Sequence, residues 1–190
     1  MVLASQSPRR RELLGLISSD FEIVPAQGDE LLPDGISPDK AVLLLSSQKA
    51  AEVRQRLYPD SEIVPDTIIA ADTVVSIDGE ILGKPHSAEN AAEMLHRLSG
   101  RKHSVFTGVT IISGSNTESF AERTEVEFFP LTDEEITAYV ESGDPMDKAG
   151  AYGIQGHGAL LVRRIEGDYY NVMGLPVGEL FRRLRAMGAV

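Results

Sequence analysis

Hydrophobic and polar positions along this chain switch repeatedly between a period near two and a period near 3.6, and each switch marks an element. The run Leu3 to Leu14 starts apolar, passes through the hydroxyl-rich turn Ser5-Gln6-Ser7, and opens a helix at Pro8 that carries Arg9, Arg10 and Arg11. Phe21 to Pro25 reads as a strand, followed by an acidic loop at Asp29-Glu30. Ser37-Pro38 opens a helix to about Leu57, with Ala41, Leu44, Leu45 and Val53 as apolar positions and Lys49 in its later turns. Thr67 to Ile77 is a β-branched apolar run, which Asp78-Gly79 turns back as a hairpin into Glu80-Ile81-Leu82.

Ser87 to Leu98 reads as an amphipathic helix closed by Gly100. Lys102 to Ile112 and Thr117 to Phe129 read as strands joined at Gly114-Ser115-Asn116, and Glu122, Glu125 and Glu127 give the second a solvated or cation-facing side. Thr132 with Glu135 forms a capping box for a helix ending near Ser142-Gly143. A glycine-rich stretch, 147–156, comes next. The pattern then predicts a strand pair, Ala159 to Ile165 and Tyr169 to Met173, turning at Glu166-Gly167-Asp168, and a last helix opened by Pro176 and ending near Met187. The long hairpins exclude an all-parallel sheet, so the expectation is a mixed α/β fold in one domain over residues 1–190.

The chain has no cysteine, which excludes a disulfide framework, a thiolate metal site and a cysteine nucleophile. Met1 leads at once into a strand and then arginines, and no apolar run approaches membrane-spanning length, so the expectation is a cytoplasmic protein without a membrane partner. A formal net charge of -11 argues against binding nucleic acid, because affinity for that backbone comes from clustered cations. A small phosphorylated ligand is still compatible where Arg9, Arg10, Lys49, Lys84 or Lys148 reverses the sign locally, or where a divalent metal does so.

Three further segments could carry chemistry beside the N-terminal one. At the N-terminus, Ser7 as cap, Pro8 at the first helical position and the unpaired amides of the first turn make a phosphate site, or else an ordinary capped helix with solvated arginines. In Ala70-Ala71-Asp72-Thr73-Val74-Val75 one carboxylate interrupts a run that otherwise belongs in a core, as a base or metal ligand, or else as a solvent-facing Asp on a sheet edge or a satisfied structural Asp. Gly79 to Pro85 is not a phosphate loop of the Walker type, since its glycines are too close and Pro85 stands where a magnesium-binding hydroxyl belongs; Lys84 is a phosphate ligand or a solvated lysine. The glycine-rich 148–158 lets backbone approach a ligand and offers the amide of Gln155, or is a multi-turn loop. His86, His96, His103 and His157 show no ligand spacing.

Taken in order, Leu3-Ala4-Ser5, Ser7-Pro8-Arg9-Arg10, Asp29-Glu30, Gln48-Lys49-Ala50, Ala71-Asp72-Thr73, Gly83-Lys84-Pro85, Ser99-Gly100, the stretch 147–156 and Gly174-Leu175-Pro176 resemble the Maf family over essentially the whole chain. These are nucleoside triphosphate pyrophosphatases, also known as septum-formation inhibitors. The resemblance implies a two-lobed α/β fold related to inosine triphosphate pyrophosphatases, with an elongated mixed sheet, flanking helices and a central cleft. It implies hydrolysis of a nucleoside triphosphate to the monophosphate and pyrophosphate with Mg2+ or Mn2+. Asp72 would be the proton acceptor, with Lys84 and Arg10 also catalytic. Ser5, Ser7, Arg10, Lys49 and Lys84 would bind the phosphates, and Glu30 and Asp72 would hold the metal.

The resemblance also implies a subfamily. Members acting on dTTP and UTP carry Arg after Ser-Pro, Thr after the motif Asp and Gln in the glycine-rich stretch, matched here by Arg9, Thr73 and Gln155. Relatives preferring 7-methyl-GTP carry tryptophan in place of that first arginine, and this chain has none. The cellular roles implied are cleansing of the nucleotide pool or arrest of cell division, with a homodimer left open. The alternative is a nucleotide-binding regulator of septum formation without significant hydrolysis, which release of pyrophosphate would distinguish.

Overall fold

A computed structural model describes residues 1–28 and 31–190. The elements in chain order are β1 (Val2–Leu3), α1 (Pro8–Leu14), β2 (Glu22–Ile23), α2 (Pro38–Leu57), β3 (Val64–Ile77), β4 (Glu80–Leu82), α3 (Ala88–Leu98), β5 (Lys102–Gly114), β6 (Asn116–Phe128), α4 (Asp133–Glu141), β7 (Val162–Glu166), α5 (Tyr169–Met173) and α6 (Val177–Ala186). Short 3-10 turns at Asp144–Asp147, Ala149–Ala151 and Gly156–Leu160 carry the glycine-rich stretch.

The strands form one seven-stranded mixed sheet in the order β2-β1-β3-β5-β6-β7, with β4 added beside β3. β1 runs parallel to β2 and β3, and the remaining pairs are antiparallel. The Asp78-Gly79 turn has positive φ at both residues, +55° and +81°, the backbone that a two-residue hairpin of matching twist requires. The capping box at Thr132 and Glu135 closes both ways, at 2.8 and 3.3 Å.

Strand alternation sends successive residues of β3 to opposite faces. Ile68 and Ala70 pack with Val2, Ala4 and Ile112 under Ala50 and Val53 of α2. Ile69 and Ala71 join Leu13, Leu14, Leu180 and Leu184 from α1 and α6, whereas Val75 and Ile77, further along the same face, join Ala91, Leu95 and Ile136 from α3 and α4. One long sheet thus carries two lobes on one face and α2 on the other. At Gly108 of β5 a Cβ would lie 2.3 Å from the Val42 carbonyl oxygen, so only glycine lets α2 sit this close to the sheet.

The predicted second strand of the last hairpin is a helix. Tyr169–Met173 forms α5 because Asp168 caps it, accepting from the Tyr170 amide at 2.7 Å, and Gly174 ends it at φ +109°. This local capping and the burial of Asn171 override the β propensity of the aromatic residues. Its predicted partner is strand only over Val162–Glu166, since Gly156–Leu160 winds into a 3-10 turn. Pro176 is the residue before the last helix, its carbonyl accepting from the Leu180 amide at 3.0 Å.

Candidate active site

The site begins with a gap in hydrogen bonding. One edge of β3 pairs with β5 continuously from Ile68 to Ser76. The other edge pairs with β1 at Ile68 and Ile69 and with β4 from Val75 to Ile77. Among the described residues no strand pairs with the stretch between, so 70–74 presents an open edge just beyond the carboxyl end of β1. Clefts for ligands form where neighbouring strands diverge in this way. Here the cleft has a volume of about 910 Å3.

Asp72 lies on this open edge, 7% exposed, on the face covered by α2. The Lys49 ammonium of α2 donates to its Oδ1 at 2.5 Å, which satisfies a carboxylate otherwise costly to bury. Gly108 is the cross-strand neighbour of Asp72, and the close approach of Val42 there places Lys49, two turns further along α2, over the carboxylate.

Thr73 points to the opposite face and meets α1. Ser7 caps α1, accepting from the Arg10 amide at 3.4 Å, and the Ser7 amide donates to Ser5 Oγ at 3.2 Å. The Arg10 guanidinium is held on three sides: Nε donates to the Gly174 carbonyl at 2.8 Å, Nη2 to Thr73 Oγ1 at 2.9 Å and Nη1 to Ser5 Oγ at 3.4 Å.

Lys84 enters from the loop after β4. Its neighbour Gly83 accepts from the Gly150 amide at 3.0 Å, which ties this loop to the glycine-rich stretch. Gly150 has φ +67°, and a Cβ there would lie 2.8 Å from the Val75 side chain, so this contact requires glycine. The stretch then brings Gln155 to the rim. Lys148 donates to the Asp144 carbonyl at 2.5 Å and to Asp147 at 2.6 Å, and Arg9 approaches Asp147 at 3.6 Å. Burial raises the Asp147 carboxyl, but the Lys148 hydrogen bond and the charges of Lys148 and Arg9 outweigh it and hold the group below its ordinary value.

All the described residues that the sequence singled out therefore line one cleft: Ser5, Ser7, Arg9 and Arg10 from the first segment, Lys49 from α2, Asp72 and Thr73 from β3, Lys84, and Gln155. Glu30 lies outside the described residues. Sequence reasoning noted Lys148 only as a cation and did not single out Asp144 or Asp147; the place of Asp147 beside Arg9 follows from tertiary packing. It also missed the Gly174 carbonyl that holds Arg10. Among the described lining residues five cations face three carboxylates, so the cleft is locally positive in a chain of net charge -11.

The chemistry of this donor set fits a hard divalent cation only in part from protein. Among the described residues no three His, Cys, Asp or Glu groups converge. Mg2+ and Mn2+ are commonly held by one or two carboxylates with phosphate oxygens of the substrate completing the shell, an arrangement that Asp72 at a cationic cleft accommodates.

A mixed sheet with an open switch point, its cleft lined among the described residues by cations and one buried carboxylate, defines an α/β protein built to receive a compact polyanion. The chain belongs to the Maf family: the family described as Maf-like protein matches residues 1–187. It is 52% identical over 188 residues to the dTTP/UTP pyrophosphatase of Carboxydothermus hydrogenoformans, covering 98% of this chain and 97% of that one. It is 50% identical over 185 residues to the dTTP/UTP pyrophosphatase of Bacillus velezensis, covering 97% and 95%. The solved structure of a HAM1 protein from Coxiella burnetii superposes with a TM-score of 0.51 at 15% identity, covering 97% of this chain and 98% of that one, which shows a shared fold. Among the described residues no helix is long and apolar enough to cross a membrane.

Proposed function

We propose that this chain is a cytoplasmic pyrophosphatase that hydrolyses dTTP and UTP to the nucleoside monophosphate and pyrophosphate. The observation that carries this reading is Asp72, among the described residues the one buried carboxylate, on the open edge of β3 in a cleft lined by cations from four separate segments. Similarity to relatives named dTTP/UTP pyrophosphatase over nearly their full length supports it.

In this mechanism Arg10, Lys49 and Lys84 bind and neutralise the triphosphate, with the hydroxyls of Ser5 and Ser7 and nearby amides completing the cradle. Catalysis of phosphoryl transfer is mostly placement and electrostatics, which fixed guanidinium and ammonium groups supply without reorganising. Asp72 accepts the proton of the water that attacks the α-phosphorus, and pyrophosphate leaves as the bond to the bridging oxygen breaks. Lys49 orients the carboxylate for this task through the 2.5 Å contact. Asp72, with Glu30, would hold Mg2+ or Mn2+, which when bound supplies charge neutralisation and activation of water.

Base choice falls to Arg9, Thr73 and Gln155. The Gln155 amide both donates and accepts, which suits the edge of a pyrimidine, and a site built to hydrogen-bond one edge rejects a base that leaves its groups unpaired. Release of pyrophosphate from a panel of dTTP, UTP, CTP, GTP and 7-methyl-GTP with Mg2+ or Mn2+ tests the reading. Turnover highest on dTTP and UTP is expected. Binding without pyrophosphate release from any of them would replace it with the regulator of septum formation.

A further inference from the structure

Behind Arg10 runs a chain of hydroxyls whose proton directions are fully determined. Thr107 of β5 is 0% exposed and sits 2.9 Å from the Asn171 carbonyl oxygen. A carbonyl only accepts, so the Thr107 hydroxyl donates to it. Thr107 and Thr73 are register partners, with their hydroxyl oxygens 2.9 Å apart. Thr107 has spent its one proton, so Thr73 is the donor in that contact. Thr73 in turn has spent its own, and only its lone pairs remain to face Arg10 Nη2, which donates at 2.9 Å.

The far end of this chain is anchored as firmly. Asn171 Nδ2 donates to the Val105 carbonyl at 3.1 Å and to Thr124 Oγ1 at 3.0 Å, and Thr124 donates to the Asp168 carbonyl at 2.8 Å. These bonds pin α5 to the sheet, and α5 leads directly into Gly174, whose carbonyl accepts from Arg10 Nε. Two of the acceptors that aim the guanidinium, Thr73 Oγ1 and the Gly174 carbonyl, are thus linked to Thr107, the first directly and the second through α5.

We propose that Thr107 is a positioning residue, acting through Thr73 and α5 to hold Arg10 in its phosphate-binding orientation. The part of this that concerns activity rests on the pyrophosphatase reading above. Thr73 also serves base choice, so what marks this role is a loss of catalysis that depends on Arg10.

The test compares Thr107→Val, which keeps the shape and removes the hydroxyl, with Thr107→Ser, which restores it, each in the wild-type chain and with Arg10→Ala. Thr107→Val is expected to lower kcat/KM about tenfold on dTTP, UTP and CTP, the loss expected when the Thr73 hydrogen bond that aims the charged Arg10 group is given up. Thr107→Ser should stay within about twofold of wild type, and Thr107→Val should add less than about twofold in the Arg10→Ala background. A full tenfold loss in that background would overturn the proposal. The Arg10 Nε–H resonance, followed by 15N NMR, reads the orientation without any turnover: it should shift and exchange faster with water in Thr107→Val and return in Thr107→Ser. An unchanged resonance overturns the positioning role. A wild-type protein inactive on every nucleotide would instead remove the pyrophosphatase reading, and the resonance alone would then decide the positioning role.

Discussion

Gly108 and Asp72 are direct cross-strand neighbours, and the space left by the missing side chain of the first is filled by the backbone of α2, whose Lys49 contacts the second. Gly108→Ala would put a methyl group 2.3 Å from the Val42 carbonyl oxygen, a contact that backbone cannot relieve without moving the helix. We expect a loss of stability of about 1–3 kcal/mol, typical of overpacking, together with a fall in kcat/KM as Lys49 is lifted from Asp72. Urea unfolding and steady-state kinetics measure the two effects. A variant with native values of both would show that α2 does not lie this close.

Asp72→Asn keeps the size of the side chain and removes its charge and basicity. Turnover should fall at least about 100-fold, because the general base and a metal-binding charge are lost together. Circular dichroism should show an intact fold. Normal kcat in this variant would exclude Asp72 as the base.

Arg9 lies at the rim, 3.6 Å from Asp147, and Gln155 stands in the same cleft on the glycine-rich stretch. Arg9→Trp is expected to erode the preference for dTTP and UTP over 7-methyl-GTP more than it weakens total binding, since a flat aromatic favours stacking on a larger, cationic base. The comparison of kcat/KM across the nucleotide panel, native against variant, is the measurement. Native activity highest on 7-methyl-GTP would reverse the assignment of base preference while leaving pyrophosphate release in place.

His103 supplies a pH dependence of stability that is separate from catalysis. Its ring is 3% exposed, packed edge-on against Phe128 and Tyr152 at 4.9 and 5.3 Å, with Nε2 2.7 Å from the Tyr152 hydroxyl. Burial lowers its pKa from 6.5 to about 4. Below pH 6.5 the unfolded chain takes up a proton that the folded chain refuses, so the stabilisation is complete above 6.5 and is lost as the pH falls through about 4. The shift corresponds to about 3 kcal/mol. Urea unfolding between pH 7 and 4 should show a slope for wild type that exceeds that of His103→Gln by up to about 1.4 kcal/mol per pH unit, the value for one proton. Equal slopes would mean that His103 titrates normally.

Local chemistry made much of this protein legible in its sequence. The hairpin at Asp78-Gly79 needs positive φ, the capping box at Thr132 and Glu135 needs residues three apart, and Pro38 can begin a helix but not continue one; each is decided within a few residues and was readable there. The ordered motifs likewise carried the family and most of the residues in the cleft. Tertiary structure decided what lies far apart along the chain. Tyr169 to Met173 carries too short a pattern for periodicity to separate helix from strand, and the Asp168 cap and the buried Asn171 settle it as α5. Arg10 meets an acceptor 164 residues away at Gly174, and Lys49 finds Asp72 because Gly108 admits α2 to the sheet. Such pairings have no signal of their own in sequence, since they are set by how all the layers pack at once.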